Sequence, residues 1–194
     1  MIWDSEVWKS DLKRELSALE RLVAKRGAKS EPLGIRIEKF YFLSAFIIRK
    51  LIEAGKLSSE VVSQKVKLDF HECIDKKVCI DRFNCHHIDR FYDLNAGVLV
   101  LKDMKWLCGK LIHSFSFSQL HDKDDKFIGV FFNSDENKKE GLWYLSFSEY
   151  KRIVVSCVDD NIIFSCFNRE KSKEVRFSDK RNVEKWAKRT ARES

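Results

Sequence analysis

The first third of the chain places its apolar residues at the spacing of α-helices. Between residues 5 and 26 an apolar side chain returns every three or four positions, and Gly27 follows as a helix-terminating residue. Between residues 36 and 54 the apolar side chains cover most of the helical circumference, which is typical of a buried helix. The pattern therefore predicts two long helices, the second one in the centre of the fold.

The middle of the chain mixes the two periods. Residues 65–70 alternate between apolar and polar side chains, which predicts a short strand. A helix is predicted over residues 86–94, ending before Gly97, and a further helix over residues 101–115. The apolar stripe of this last helix consists of Leu101, Met104, Cys108, Leu111, Ile112 and Phe115.

The second half of the chain turns to the pattern of β-hairpins. Residues 127–132 and 142–147 are short apolar runs on either side of the polar residues 133–140, which predicts a hairpin with a longer loop. A second hairpin is predicted over residues 162–167 and 174–177.

Two further helices are predicted in this half. Residues 148–160 place their apolar side chains at helical spacing and begin with Ser148, which can cap a helix. The β-branched run at residues 153–155 favours a strand instead, and we choose the helix. An amphipathic helix over residues 180–190 closes the chain.

These elements predict an α+β fold with a helical N-terminal half packed against a small antiparallel sheet and a C-terminal helix. We expect residues 1–117 to form a helical region and residues 118–194 a strand-rich region with the terminal helix. A chain of 194 residues can bury a sufficient core without disulfides. Seven Gly and one Pro leave little room for flexible linkers, so we expect one compact unit.

The formal charge of +7 lies mostly at the two ends of the chain. Residues 9–56 hold 12 basic and 6 acidic side chains, and residues 168–194 hold 10 and 5. Basic ends can bind nucleic acid weakly or contact an acidic partner. The alternative is that they are solvated helix faces, because Glu is interleaved with Lys and Arg.

Six cysteines occur without a secretory signal, which predicts reduced thiols in a cytosolic protein. The longest apolar stretch, residues 40–48, is far shorter than the roughly 20 residues that a membrane span needs. We therefore expect a soluble protein with no membrane association. We also expect no cofactor, because no phosphate-binding glycine loop is present.

Reactive side chains are densest between residues 71 and 87. Thiolate and imidazole are the ligands that zinc prefers, so a zinc-binding module is one alternative. Five residues separate each cysteine of this segment from the next, whereas zinc knuckles place two cysteines two to four residues apart. We therefore favour cysteines that act as small buried apolar residues and predict no metal. The group comprises His71, Cys73, Cys79, Cys85, His86 and His87.

The segment LCGKLIHSFSF, residues 107–117, places His113 beside the apolar stripe of its predicted helix. It resembles the end of the catalytic helix of HEPN domains, in which an Arg and then a polar residue precede a His that lies four residues after the polar one. Aligned on His113, the polar position is Gly109 and the Arg position is Cys108. The resemblance implies a HEPN-like helical domain over residues 1–117 that lacks the catalytic arginine.

Active members of that family cleave RNA without a metal, and the resemblance implies how. A histidine takes the proton of a ribose hydroxyl, and an arginine stabilises the charge that develops on the phosphate. A second, looser match pairs Arg82 with His87, with four residues between them. A metal-independent ribonuclease is thus an alternative, with His113, Arg82 and His87 as its candidate catalytic residues. Otherwise we expect His113 to cap a helix or to form a hydrogen bond within a helix-packing core.

Taken together, these patterns favour a cytosolic binding or interaction protein of the bacterial accessory type, with a HEPN-like core that is not catalytic. Its expected partner is another protein or a second copy of the chain. The ribonuclease and the zinc-binding module are the two alternatives.

Overall fold

Two long helices open the chain in the computed structural model, which describes residues 2–24, 30–168 and 173–193. Helix α1 spans Ser5–Val23, and the Asp4 carboxylate accepts a hydrogen bond from a free N–H of its first turn. Helix α2 spans Glu31–Glu53 and ends before Gly55, whose φ of 67° suits glycine. Both predicted helices are confirmed, and Gly27 lies outside the described residues.

The remaining elements alternate strands with shorter helices. The helices are α3 (Ser59–Val62), α4 (Ile88–Phe91), α5 (Met104–Ile112), α6 (Phe147–Val158) and α7 (Lys180–Glu193). The strands are β1 (Lys65–Glu72), β2 (Val98–Asp103), β3 (Ser114–His121), β4 (Phe127–Ser134), β5 (Gly141–Ser146), β6 (Phe164–Asn168) and β7 (Lys173–Phe177). The predicted α+β fold class is confirmed.

One antiparallel sheet organises the fold. Its strands lie in the order β2-β1-β5-β4-β3, so β5 is central and β2 and β3 form the two edges. Strands β6 and β7 form a separate two-stranded sheet. The predicted hairpins correspond to the β4–β5 and β6–β7 pairs, and both are confirmed.

The main core lies between α1, α2, α5 and α6 and one face of the sheet. At its centre the rings of Tyr41 and Tyr150 stack with centroids 4.4 Å apart. The Tyr150 hydroxyl lies 2.7 Å from the Ser44 hydroxyl oxygen, which ties α6 to α2. Burial raises the pKa of Tyr150 well above its ordinary value, so its hydroxyl stays protonated and can donate.

A smaller core covers part of the other face of the sheet. It is built by the segment that connects β1 to β2, residues 73–97, against strands β4 and β5. The Tyr92 hydroxyl donates to the Lys138 carbonyl at 2.8 Å and accepts from the Asn133 side chain at 2.7 Å. These hydrogen bonds attach the connecting segment to the sheet.

The helix predicted over residues 101–115 is wrong at both ends. Strand β2 occupies its beginning and β3 its end, so only α5 is helical. Leu101 and Phe115 belong to strands and share the helical spacing of the α5 stripe by coincidence. The helix predicted over residues 86–94 is reduced to the single turn of α4.

The strand predicted over residues 65–70 is confirmed as β1. Strands β1 and β2 both lie within residues 1–117, and β3 spans residue 117. The sheet therefore takes its strands from both regions. The helix predicted over residues 148–160 and the C-terminal helix are confirmed as α6 and α7.

We predict that Gly141→Ala destabilises the protein by about 1–3 kcal/mol, the usual cost of overpacking. A Cβ at this position would lie 2.4 Å from the Phe70 ring and 2.5 Å from the backbone oxygen of His71, at the pairing of β5 with β1. The free energy of unfolding in urea measures the effect.

Gly109→Ala is the matched control for this substitution. Gly109 lies within α5, and a Cβ there meets only the flexible Arg49 side chain, at 3.0 Å. Because alanine favours helix over glycine by up to about 1 kcal/mol, the control is expected to be neutral or more stable. Equal losses in the two variants would contradict the steric explanation.

Candidate interaction surface

The three candidate catalytic residues lie in different local settings. His113 is the C-cap residue of α5 and is exposed, and its N–H donates to the Gly109 carbonyl at 3.1 Å. His113 therefore caps the helix, as one form of the expectation had it, but its side chain does not lie in a core, because the chain leaves α5 at this residue and enters β3. Within the described residues no hydrogen bond or ion pair joins His113 to Arg82 or His87.

Arg82 and His87 belong to the segment between β1 and β2. Arg82 is exposed in a turn that a hydrogen bond from the Cys85 N–H to the Asp81 carbonyl closes at 2.9 Å. His87 precedes α4, and its ring lies 3.9 Å from that of His86 between centroids. Arg82 and His87, the residues of the looser match, thus lie in neighbouring turns. Within the described residues no hydrogen bond or ion pair joins them.

Cys108, which aligns with the catalytic arginine of the HEPN pattern, is fully buried in α5. Burial raises the pKa of its thiol well above the ordinary value, and the neighbouring Cys157 adds to the rise. Burial likewise raises the pKa of Cys157 to about 12. Both side chains are neutral thiols near pH 7 and are unsuited to nucleophilic attack.

The Cys/His segment is spread over surface and core. Cys73 is buried, Cys79 is exposed and Cys85 is half-buried, while the His71 ring lies against the Asp93 carbonyl at 2.9 Å. In the part of the chain that the structure describes, no group of three or more His, Cys, Asp or Glu side chains is placed to hold a metal ion.

Strand β2 presents the most unusual surface of the sheet. It is an edge strand, and Val98, Leu99 and Leu101 are 61%, 62% and 57% exposed. On its inner face Val100 packs against the core, and the Lys102 ammonium lies 5.1 Å from the Trp106 and Trp143 rings. The outer face therefore carries two leucines that are more than half exposed. We call Val98–Leu101 the apolar edge.

The hydrogen bonds of β1 show which backbone groups of β2 are free. The Lys67 N–H donates to the Glu149 carboxylate at 2.9 Å, and the Lys65 carbonyl accepts from the Arg152 guanidinium at 2.9 Å. Both groups lie on the side of β1 that faces α6, away from β2. Because neighbouring residues of a strand alternate in direction, Val66 and Leu68 direct their backbone groups toward β2.

The pairing of β1 with β2 then shows which backbone groups of β2 point away from β1. Leu68 pairs with Val100, and Val66 pairs with Lys102. Val100 and Lys102 therefore use their N–H and carbonyl groups within the sheet. Leu99 and Leu101 direct theirs to the free edge, so the apolar edge combines exposed side chains with unpaired backbone groups.

Sequence reasoning missed this edge, although a signal for it was present. The run VLVLKD is short, β-branched and apolar, and it follows Gly97 directly, as strands often follow turns. The helical stripe that begins at Leu101 obscured it.

Comparison of the chain with protein-family models, with curated proteins and with solved structures finds no match. The HEPN-like resemblance stays a prediction. In the described residues no helix has both the length and the apolar character to cross a membrane.

We predict that His113→Ala changes the free energy of unfolding by less than about 0.5 kcal/mol, because the side chain is exposed. Leu111→Ala, two residues earlier and fully buried, is the comparison and should cost about 2–5 kcal/mol. Thermal or urea melts of both variants measure the difference. A large loss in His113→Ala would show that the residue is packed.

The same His113→Ala variant tests the ribonuclease alternative. We expect wild type and variant to give the same result in an RNA cleavage assay that contains EDTA, since no hydrogen bond joins His113 to an arginine within the described residues. Cleavage by the wild type that disappears in a variant of unchanged stability would establish the alternative.

Proposed function

We propose that the protein is a non-catalytic interaction protein that associates with a second copy of itself through the apolar edge of β2. The observation that carries this proposal is the edge itself, which exposes Val98, Leu99 and Leu101 and leaves the backbone groups of both leucines without a partner among the described residues. Such an edge is a ready template for another strand.

The apolar edge itself carries few of the features that usually prevent association. Proteins protect free edges with proline, inward-pointing charge, bulges or a covering loop. Residues 98–101 contain no proline and no charge, and the β1–β2 register runs without a shift, while the charged residues of β2, Lys102 and Asp103, lie at its end. By contrast, the opposite edge strand β3 has register shifts near both ends and buries or half-buries its side chains.

A second copy fits this edge because β2 is complementary to itself. When two β2 strands run antiparallel around a two-fold axis at Val100, Leu99 of each copy lies opposite Leu101 of the other. These are the two residues whose backbone groups point outward, so the pairs can exchange hydrogen bonds in full. Four leucines then form one apolar cluster on the outer face of a continuous ten-stranded sheet.

The charges at the ends of β2 agree with this register. Lys102 of one copy lies opposite Val98 of the other, and Asp103 lies opposite Gly97. No like charges meet across the axis. A shift by one residue would oppose the outer face of one copy to the inner face of the other, and in one of the two directions it places Lys102 against Leu99.

We predict that the wild type is a dimer and that the double variant Leu99→Lys with Leu101→Lys is a monomer, because the register would set lysine against lysine. The double variant Leu99→Lys with Leu101→Glu should dimerise again, because each lysine then faces a glutamate of the other copy. Sedimentation equilibrium measures the three association states.

Leu43→Lys is the matched control, since Leu43 is 61% exposed on α2, outside the sheet. It should remain dimeric. If the wild type stays monomeric at high micromolar concentration, the apolar edge does not bind a second copy of the chain. If the variant with Leu99→Lys and Leu101→Lys is still a dimer, the interface lies elsewhere on the molecule.

Hydrogen exchange gives an independent test at residue resolution. The amides of Leu99 and Leu101 should exchange fast in dilute protein and become protected as concentration rises. The Val100 amide, which pairs with β1, should be protected throughout and serves as the internal control. Protection of Leu99 that does not depend on concentration would contradict pairing between copies.

A further inference from the structure

A cavity of about 350 Å³ opens between the first turns of α1, the turn after α2 and the β6–β7 hairpin. It lies outside the sheet and does not include the apolar edge. Its wall is mainly polar and contains three basic side chains. Its lining includes Glu6, Lys9, Lys56, Ser165, Glu174 and Arg176.

Lys9 is the unusual member of this wall. It is 3% exposed, and its ammonium donates to the backbone carbonyl of Asp160, just beyond the end of α6. This contact stabilises the carbonyl end of that helix. An ammonium has three N–H donors, and no other acceptor for Lys9 is found in the described residues.

The charge of Lys9 is not matched by a direct ion pair. Within the described residues no carboxylate oxygen lies within 4.0 Å of its ammonium. The Asp160 side chain is also buried: its Oδ2 accepts from the Ser58 N–H at 2.6 Å, and its Oδ1 has no hydrogen-bond partner in the described residues. Lys9 and Asp160 thus bring two charges into the interior without a direct ion pair, which is costly.

Arg176 brings a second buried donor to the same cavity. Its side chain is 14% exposed, and Nη1 lies 3.1 Å from Glu174 Oε2. Its Nε is buried and has no hydrogen-bond partner in the described residues. A Cβ at Gly55 would lie 2.3 Å from Nη1, so the guanidinium packs directly against the glycine.

The charges are arranged from inside to outside. Lys9 is buried and Arg176 half-buried, whereas Glu6 and Glu174 are exposed at the rim. Lys56 adds a third cation to the wall, so positive charge exceeds negative charge by one. The deep end therefore suits an anionic group, and the rim offers acceptors for hydroxyl groups.

We propose that this cavity binds the phosphate group of a small phosphorylated molecule that bears hydroxyls. A phosphate oxygen accepts from the two N–H groups of Lys9 that have no partner and from Arg176, while the hydroxyls of the ligand reach Glu6, Ser165 or Glu174. The cavity is larger than a single phosphate ion, which favours a phosphomonoester over free phosphate.

The test is titration of the full chain with glycerol 3-phosphate and, separately, with inorganic phosphate, followed by the rise in melting temperature and by calorimetry. Sodium chloride at matched ionic strength removes the general effect of salt. We expect saturable binding of both probes, tighter for glycerol 3-phosphate. Lys9→Met should weaken both at least ten-fold while preserving the apolar stem of the side chain.

Lys13→Met, an exposed lysine one turn along α1 and outside the cavity, is the matched control and should bind like the wild type. Lys56→Met, at the wall, should weaken binding without disturbing a buried contact, so the test survives if Lys9→Met fails to fold. No saturable binding by the wild type, or equal loss in the Lys13 control, would overturn the site. Tighter binding of inorganic phosphate would overturn the phosphomonoester.

Discussion

The pairing of β5 with β1 on one side and β4 on the other holds the sheet together. Without β5, the strands β2–β1 and β4–β3 would be two separate pairs, and isolated two-stranded sheets are only marginally stable. The pairing is unusually close, because Gly129 and Gly141 bring the neighbouring backbones and rings to distances that leave no room for a Cβ. Both cores pack against the strands that this contact assembles.

The elements with a strong local period were predictable, and those without one were not. The two long helices, α6 and both hairpins follow from spacing and turn residues alone. Strand β2 was missed because Leu101 continues the helical stripe of α5. The alternation of phenylalanine with serine at residues 114–117 was a signal for β3, but it lies directly after a helix and was read as its last turn.

The site residues were harder to predict, because burial depends on contacts between distant parts of the chain. The sequence pattern predicts Lys9 to be an ordinary basic residue of an amphipathic helix. In the structure it is buried, because it contacts Asp160, which lies 151 residues later in the chain. His113 reads as a member of a helix, yet it is exposed because the helix ends there. A short motif fixes the types of the side chains, whereas the tertiary contacts decide which of them face a cavity.

Strand β2 also carries its own optical probe. The Trp106 and Trp143 rings lie 5.0 Å apart at 76°, and the Lys102 ammonium from β2 lies 5.1 Å from each of them. A cation so close to an indole changes the energy of its excited state, and two indoles at this separation couple electronically. This pair is two of the five tryptophans of the chain, and its contribution to fluorescence and near-ultraviolet dichroism therefore depends on the position of Lys102 and of the strand that carries it.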